Sequence, residues 1–248
     1  WLADQHDLVE AFDRGDDVYK IMASSIYGKP VDQIDKDERF VGKTTILGAG
    51  YGMGALKFQT QLKNFGAELD ADECKRIISV YRDTYQWIPM LWRSANDVLE
   101  GLMDGSGAAF GKHGVLYVDE KGIRLPNNLH IKYPNLRRQD TEEGKTEIVY
   151  DTRKGRTVIA NRIYGGKVVE NVCQALARIV IGDQLIAISK RYKVVMTVHD
   201  AIACIVPDKE VAKAKKFVEE TMKVRPTWAQ ELPLDCESGF GKNYGSCK

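Results

Sequence analysis

The spacing of apolar residues changes at Gly105, and that change constrains the fold more than any composition figure does. Before it, Leu8, Val9, Phe12, Val18, Ile21, Met22 and Ile26 recur at helical intervals, interrupted at "RGDD". Pro30 and "DQIDKDE" then punctuate the chain. Asp70 with Glu73 makes a capping-box-like start for "ECKRIISVYRDTYQWIPMLWRSANDVLEGLM", a long helical pattern that Pro89 should kink or split. After Gly105, "GVLYVDEKGIRLPNNLHIKYPNL" holds short β-like runs broken by Lys-Gly and Asn-Asn, which predicts hairpins. Arg138–Lys154 is polar and reads as a long loop. From Gly166 the chain turns compact: a mostly buried helix, a hairpin in "KVVMTVHDAIACIVP" with His199-Asp200 near its turn, and an amphipathic helix with Val211, Ala214, Phe217, Val218 and Met222 on one side. The division falls at about Thr157.

The 248 residues are 44% hydrophobic and 29% charged, enough for one large domain or two small ones. The five cysteines form no CxxC pair and the histidines do not cluster with them, which argues against zinc and disulfides and for a reducing compartment. No apolar run is read as long enough to span a membrane. The chain begins at Trp1, inside what reads as a helix, so further sequence is expected upstream. Net charge is +1, yet basic residues crowd between Lys112 and Lys167, with acidic residues interleaved.

The stretch "RFVGKTTILGAGYGMG", residues 39–54, allows three readings. A phosphate-cradling loop of the form G-x-x-x-x-G-K-S/T fits Gly42-Lys43-Thr44, but Asp37 stands where the first glycine belongs and puts a negative charge against phosphate. A dinucleotide turn fits the letters of Gly50–Ala55, a weak signal after the short run "TTIL". Read as a helix from Arg39 to Tyr51, the stretch repeats Arg39, Lys43, Leu47 and Tyr51 every four residues along one stripe. Arg39 as a fork and Lys43 as a point charge suit triphosphate oxygens. Gly48, Gly50 and Gly52 would leave the end of that helix without bulk, so that a template base or the backbone could come close.

This stretch resembles the fingers-helix motif of family A DNA polymerases, R-x-x-x-K-x-x-x-F/Y-G-x-x-Y-G, with Tyr51-Gly52 as its final pair. "VMTVHDAIACIVP" resembles the palm motif of the same family, "ENVCQALARIV" the palm helix before it, and "LPLDCESGFGKNYG" the C-terminal strand. The phage-type members are nearest in texture, and the likeness runs over essentially the whole chain. It implies an α+β, right-hand polymerase fragment: helical fingers (1–157) packed on part of an antiparallel palm sheet (158–248). It implies an enzyme, a DNA-directed DNA polymerase that adds dNTP to a primer 3′ hydroxyl. Asp200 would be the magnesium ligand, with two Mg²⁺ ions in the complete protein. Lys43 and Arg39 would neutralise the triphosphate. Leu47, Tyr51 and Gly52 would shape the nucleotide pocket, Gln174 would reach the duplex minor groove, and His199 would lie near the primer end. Primer-template DNA is the implied partner, with no membrane and a place in the host-cell cytoplasm.

Four positions depart from the pattern. The family's other metal-binding aspartate would lie just before Trp1, so this chain alone should have little or no activity without the N-terminal region or a partner chain that supplies it. Ala201 replaces the usual Glu after His-Asp, Leu47 replaces Phe or Tyr, and Tyr19 replaces a frequent phosphate-contacting His. The rival readings are a DNA-binding polymerase remnant without catalysis and a nicotinamide-dependent oxidoreductase built on Gly50–Ala55.

Overall fold

The computed structural model describes residues 1–247, in an α+β fold of helices and antiparallel sheets. By its packing the chain forms two compact units, Trp1–Val172 and Cys173–Lys248, which meet inside a helix.

In the first unit, α1 (His6–Asp13) and α2 (Val18–Tyr27) flank the "RGDD" turn, where the Asp17 carboxylate caps α2 by accepting from the N–H groups of Tyr19 and Lys20. A full capping box starts α3 (Lys36–Ala49): Asp35 accepts from the Glu38 N–H, and Glu38 accepts from the Asp35 N–H. α4 (Ala55–Asn64), α5 (Ala71–Thr84) and α6 (Trp87–Asp104) come next. Asp70 caps α5 through the Glu73 N–H at 2.7 Å. The long helical pattern does split, at Tyr85–Gln86, which leaves Pro89 in the first turn of α6 where its missing N–H costs no helical bond. Met22, Ile26, Val41, Phe58, Leu62, Ile77 and Tyr81 share one core between α2 and α5. Each large apolar side chain fully buried there stabilises the unit by about 2 kcal/mol.

Two sheets come after α6. β1 (Ala108–Phe110), β2 (Leu116–Asp119), β3 (Gly122–Arg124) and β4 (His130–Ile131) pair antiparallel in chain order, burying Phe110, Leu116, Val118 and Ile123. The segment expected to be a long loop is instead a second sheet: β5 (Arg137–Asp140), β6 (Thr146–Lys154) and β7 (Thr157–Arg162), again in chain order. "TEIVYDT" is rich in β-branched and aromatic residues, and its charges find partners across the strands, Arg137 with Asp151 and Arg162 with Glu147.

α7 (Gly165–Ser189) leads into the second unit, continued by the hairpin β8 (Lys193–Val198) and β9 (Ala201–Ile205), then α8 (Val211–Met222). By length and composition α7 is long and apolar enough to cross a membrane, contrary to the sequence expectation. Core helices of soluble proteins share that length and composition. Val168, Val172, Leu176, Ile181 and Ile188 are buried, and Gln184 donates to the Met222 carbonyl at 2.6 Å. The C-terminal strand is not formed among the described residues. That tail is irregular and is tied down by side chains, Ser238 to Glu219 at 2.6 Å and Lys223 to Asp235 at 2.6 Å.

Candidate active site

α3 buries one face and exposes another. Val41, Thr44, Thr45, Gly48 and Ala49 are buried, while Lys43 and Leu47 are exposed and Arg39 is half-buried. The buried hydroxyls of Thr44 and Thr45 are satisfied by the carbonyls of Phe40 and Val41, at 2.9 and 2.8 Å. Neither rival reading of this stretch has the structure it needs. The helix α3, not a strand, precedes Gly50, and Asp37 lies in the first turn of that helix. The stripe is shorter than the spacing suggested: α3 ends at Ala49, so Tyr51 and Gly52 form the turn after it, with Gly52 at φ 79°. Each glycine in a helix interior costs about 1 kcal/mol, and Gly48, Gly50 and Gly52 together end the helix early.

α2 supplies a platform for the cations. Arg39 Nε donates to Asp17 Oδ2 at 2.6 Å. The Tyr19 ring centre lies 5.2 Å from the Arg39 guanidinium carbon and 5.9 Å from Lys43 Nζ. Burial opposes ionisation of Asp17, but the Arg39 bond and the N–H groups of Lys20 and Tyr19 outweigh it and hold the carboxyl below its usual range. Lys43 forms no ion pair among the described residues. α2 comes this close because Gly42 has no side chain: a Cβ there would overlap the Tyr19 carbonyl oxygen and lie 3.0 Å from Ala23 N. The sequence marks Gly42 only as part of the phosphate-loop reading, and Asp17 only as part of the "RGDD" interruption.

The turn after α3 is fixed from behind. Trp92 Nε1 donates to the Gly50 carbonyl at 3.0 Å, and the Asn96 side chain accepts from the Gly165 N–H at 2.7 Å. A Cβ on Gly165 would overlap the Trp92 carbonyl, and one on Gly166 would lie 2.5 Å from the Tyr51 carbonyl oxygen. The space beside the α3 glycines is not left open for a base. Met53 Sδ lies 3.0 Å from where a Gly48 Cβ would be, Tyr81 hydroxyl 3.4 Å from that of Gly50, and Tyr164 backs Gly52. The exposed groups are the tips of the stripe: Leu47 is 51% exposed and Tyr51 37%.

In the second unit Gln174 sits exposed on α7. His199 and Asp200 are the two loop residues of the β8–β9 hairpin, closed by the pair Val198–Ala201. His199 has φ 52°, a position such hairpins usually give to Gly, Asn or Asp, at a cost of order 1 kcal/mol. Asp200 is exposed, and Ala201 adds no second carboxylate. Among the described residues no three His, Cys, Asp or Glu side chains gather where a metal could sit. One carboxylate does not fit a two-ion magnesium site, which needs anionic oxygens to hold both ions.

A sequence model described as DNA polymerase family A matches residues 1–101. The chain is 29% identical over 98% of its length to a DNA polymerase of Bacillus phage SP02, and 21% identical over 96% to one of Bacillus phage SP01. It spans 38% and 23% of those proteins. Among solved structures it is similar to the POL domain of Pol1 from M. smegmatis, in complex with DNA primer-template and dNTP, with a TM-score of 0.64 at 19% identity, covering 99% of this chain and 37% of that one.

Proposed function

We propose that the chain, which is similar to DNA polymerases of family A, is a member of that family and forms the nucleotide-binding fingers (1–157) and the C-terminal part of the palm (158–248) of a phage-type DNA-directed DNA polymerase. The reaction is nucleotidyl transfer. The primer 3′ oxygen bonds to the α-phosphorus of a dNTP, the bond to pyrophosphate breaks, and negative charge grows on the leaving group. The observation that carries this reading is the exposed stripe of α3 over its α2 platform. Arg39 is held by Asp17 through Nε, a bond that does not use the two Nη ends of the fork. Lys43 has no carboxylate partner to give up among the described residues. Both cations stand where a triphosphate can reach them, and charge stabilisation of this kind counts most where charge develops. Lys43 also protonates the departing pyrophosphate. Leu47 and Tyr51 border the nascent base pair, with Gly52 behind them; Gln174 and His199 face the duplex.

Asp200 is this chain's contribution to divalent-metal binding. The second anionic group comes from outside the 248 residues, from the N-terminal polymerase region or a partner chain. Titration of the complete protein with dNTP and with NADH, each in the presence of primer-template, tests the reading: saturable dNTP binding supports it, and binding of NADH alone overturns it. A remnant that holds DNA without catalysis is favoured only by Ala201, and would show binding with no extension in the complete protein.

A further inference from the structure

The basic residues between Lys112 and Lys167 are not one undivided surface. At the root of the three-stranded sheet they are neutralised: Arg137 pairs with Asp151, Arg138 with Glu100, Lys145 with Glu143 and Arg162 with Glu147. At the far end of the β6–β7 ribbon, Arg153, Lys154 and Arg156 are exposed and form no ion pair among the described residues. The tip is short and defined: Lys154 pairs with Thr157 across a two-residue turn, with Gly155 at φ 63°. Neighbours in a strand point to opposite faces, so Arg153 and Lys154 put charge on both sides of the ribbon, with Arg156 at its end. Val158 and Ile159, on opposite faces just below, are 56% and 37% exposed.

We propose that the tip of the β6–β7 ribbon is a DNA-backbone contact that enters a duplex groove end-on, with Arg153, Lys154 and Arg156 meeting phosphates of the two flanking strands. Charge on both faces suits an occupant that is negative on both sides, which a groove is and a flat acidic surface is not. A two-stranded ribbon fits the major groove. The contact is to phosphates, so it carries no sequence preference. This rests on the polymerase reading above for its ligand, though not for its geometry.

The test is fluorescence anisotropy of the complete protein on labelled primer-template across a salt series. Arg153→Ala/Lys154→Ala/Arg156→Ala should weaken binding roughly tenfold or more at low salt, and should lower the slope of log affinity against log salt by about two to three, equally on unrelated sequences. Exchanging the charges in kind (Arg153→Lys, Lys154→Arg, Arg156→Lys) should keep the slope. Lys209→Ala/Lys213→Ala/Lys216→Ala, which removes as many charges at α8 and the turn before it, is the control for net charge. An unchanged slope in the ribbon variant, or an equal loss in the control, overturns the proposal. A wild-type protein that does not bind primer-template overturns the polymerase reading instead, and takes the ligand of this one with it.

Discussion

The carbonyl oxygen of Tyr19 occupies the space in which Gly42 would carry a Cβ. This contact sets the distance between α2 and α3, and so brings the Tyr19 ring beneath Arg39 and Lys43. Helix propensity alone says that Gly42→Ala should stabilise α3 by about 1 kcal/mol. The packing says the opposite, because the added carbon meets backbone on both Tyr19 and Ala23. We predict a net loss of about 1–3 kcal/mol, read as a lowered thermal midpoint. Gly48→Ala should be milder, since its neighbour is the flexible Met53 side chain. A stabilised Gly42→Ala would show that the two helices separate freely.

Asp17 has two tasks, and two substitutions separate them. Asp17→Ala removes the cap of α2 and should cost about 1 kcal/mol. Asp17→Asn keeps a capping oxygen and loses only the charge on Arg39, a partly exposed pair worth about 0–1 kcal/mol. The folded-state pKa of Asp17 is depressed. Its contribution is therefore present above the ordinary carboxylate range and is lost as pH falls through the lower folded value. Denaturant midpoints should show the gap between wild type and Asp17→Asn at neutral pH, narrowing below about pH 4. In the complete protein, Asp17→Asn should also change KM for dNTP, because Arg39 is no longer held.

Much of this was legible because it is local. Asp70 and Glu73 mark the start of α5, and the four-residue spacing of Arg39, Lys43 and Leu47 survives as an exposed stripe. What was not legible depends on partners distant in sequence. The chain from Arg138 to Lys154 read as a loop because its charges hid a β-rich run, and those charges are paired only once β6 has neighbours on both sides. Gly42 read as part of a phosphate loop because nothing nearby in sequence reveals the Tyr19 carbonyl. Gly165 and Gly166 gave no signal that they back the turn at Tyr51. The departure of Tyr51 from the helix was within reach, since three glycines in five residues end most helices.

Lys43 is exposed, with its Nζ 5.9 Å from the Tyr19 ring centre, so its removal should leave stability within about 0.5 kcal/mol. Activity should not track stability. In primer extension by the complete protein, Lys43→Ala should lower kcat/KM by about 10²–10³, the scale set by losing one preorganised charge against a developing anion. Equal losses of stability and activity would place Lys43 in the fold rather than in the chemistry.

Leu47 is half exposed on the stripe and has no hydroxyl to offer. A tyrosine there could hydrogen-bond where a dideoxynucleotide lacks its 3′ hydroxyl, and one such bond is worth about 1 kcal/mol. Wild type should therefore discriminate against dideoxynucleotides, and Leu47→Tyr should relax that by about fivefold or more, measured as the ratio of kcat/KM for dNTP over ddNTP. An unchanged ratio would move Leu47 away from the sugar.

Asp200 sits at the turn of β8–β9 with Ala201 beside it, and no group of three His, Cys, Asp or Glu side chains that could hold a metal forms among the described residues. A lone exposed carboxylate binds a divalent ion weakly, so the 248-residue chain by itself should show little or no template-dependent extension. In the complete protein, Asp200→Ala should abolish extension while leaving primer-template binding measurable. Ala201→Glu adds an oxygen donor next to the first, and should lower the magnesium concentration needed for half-maximal rate. The side chain at 201 is exposed, so the folding stability should not move. Robust extension by the isolated chain would mean that Asp200 finds its second anionic partner within these residues, and a magnesium requirement indifferent to Ala201→Glu would mean that residue 201 faces away from the ion.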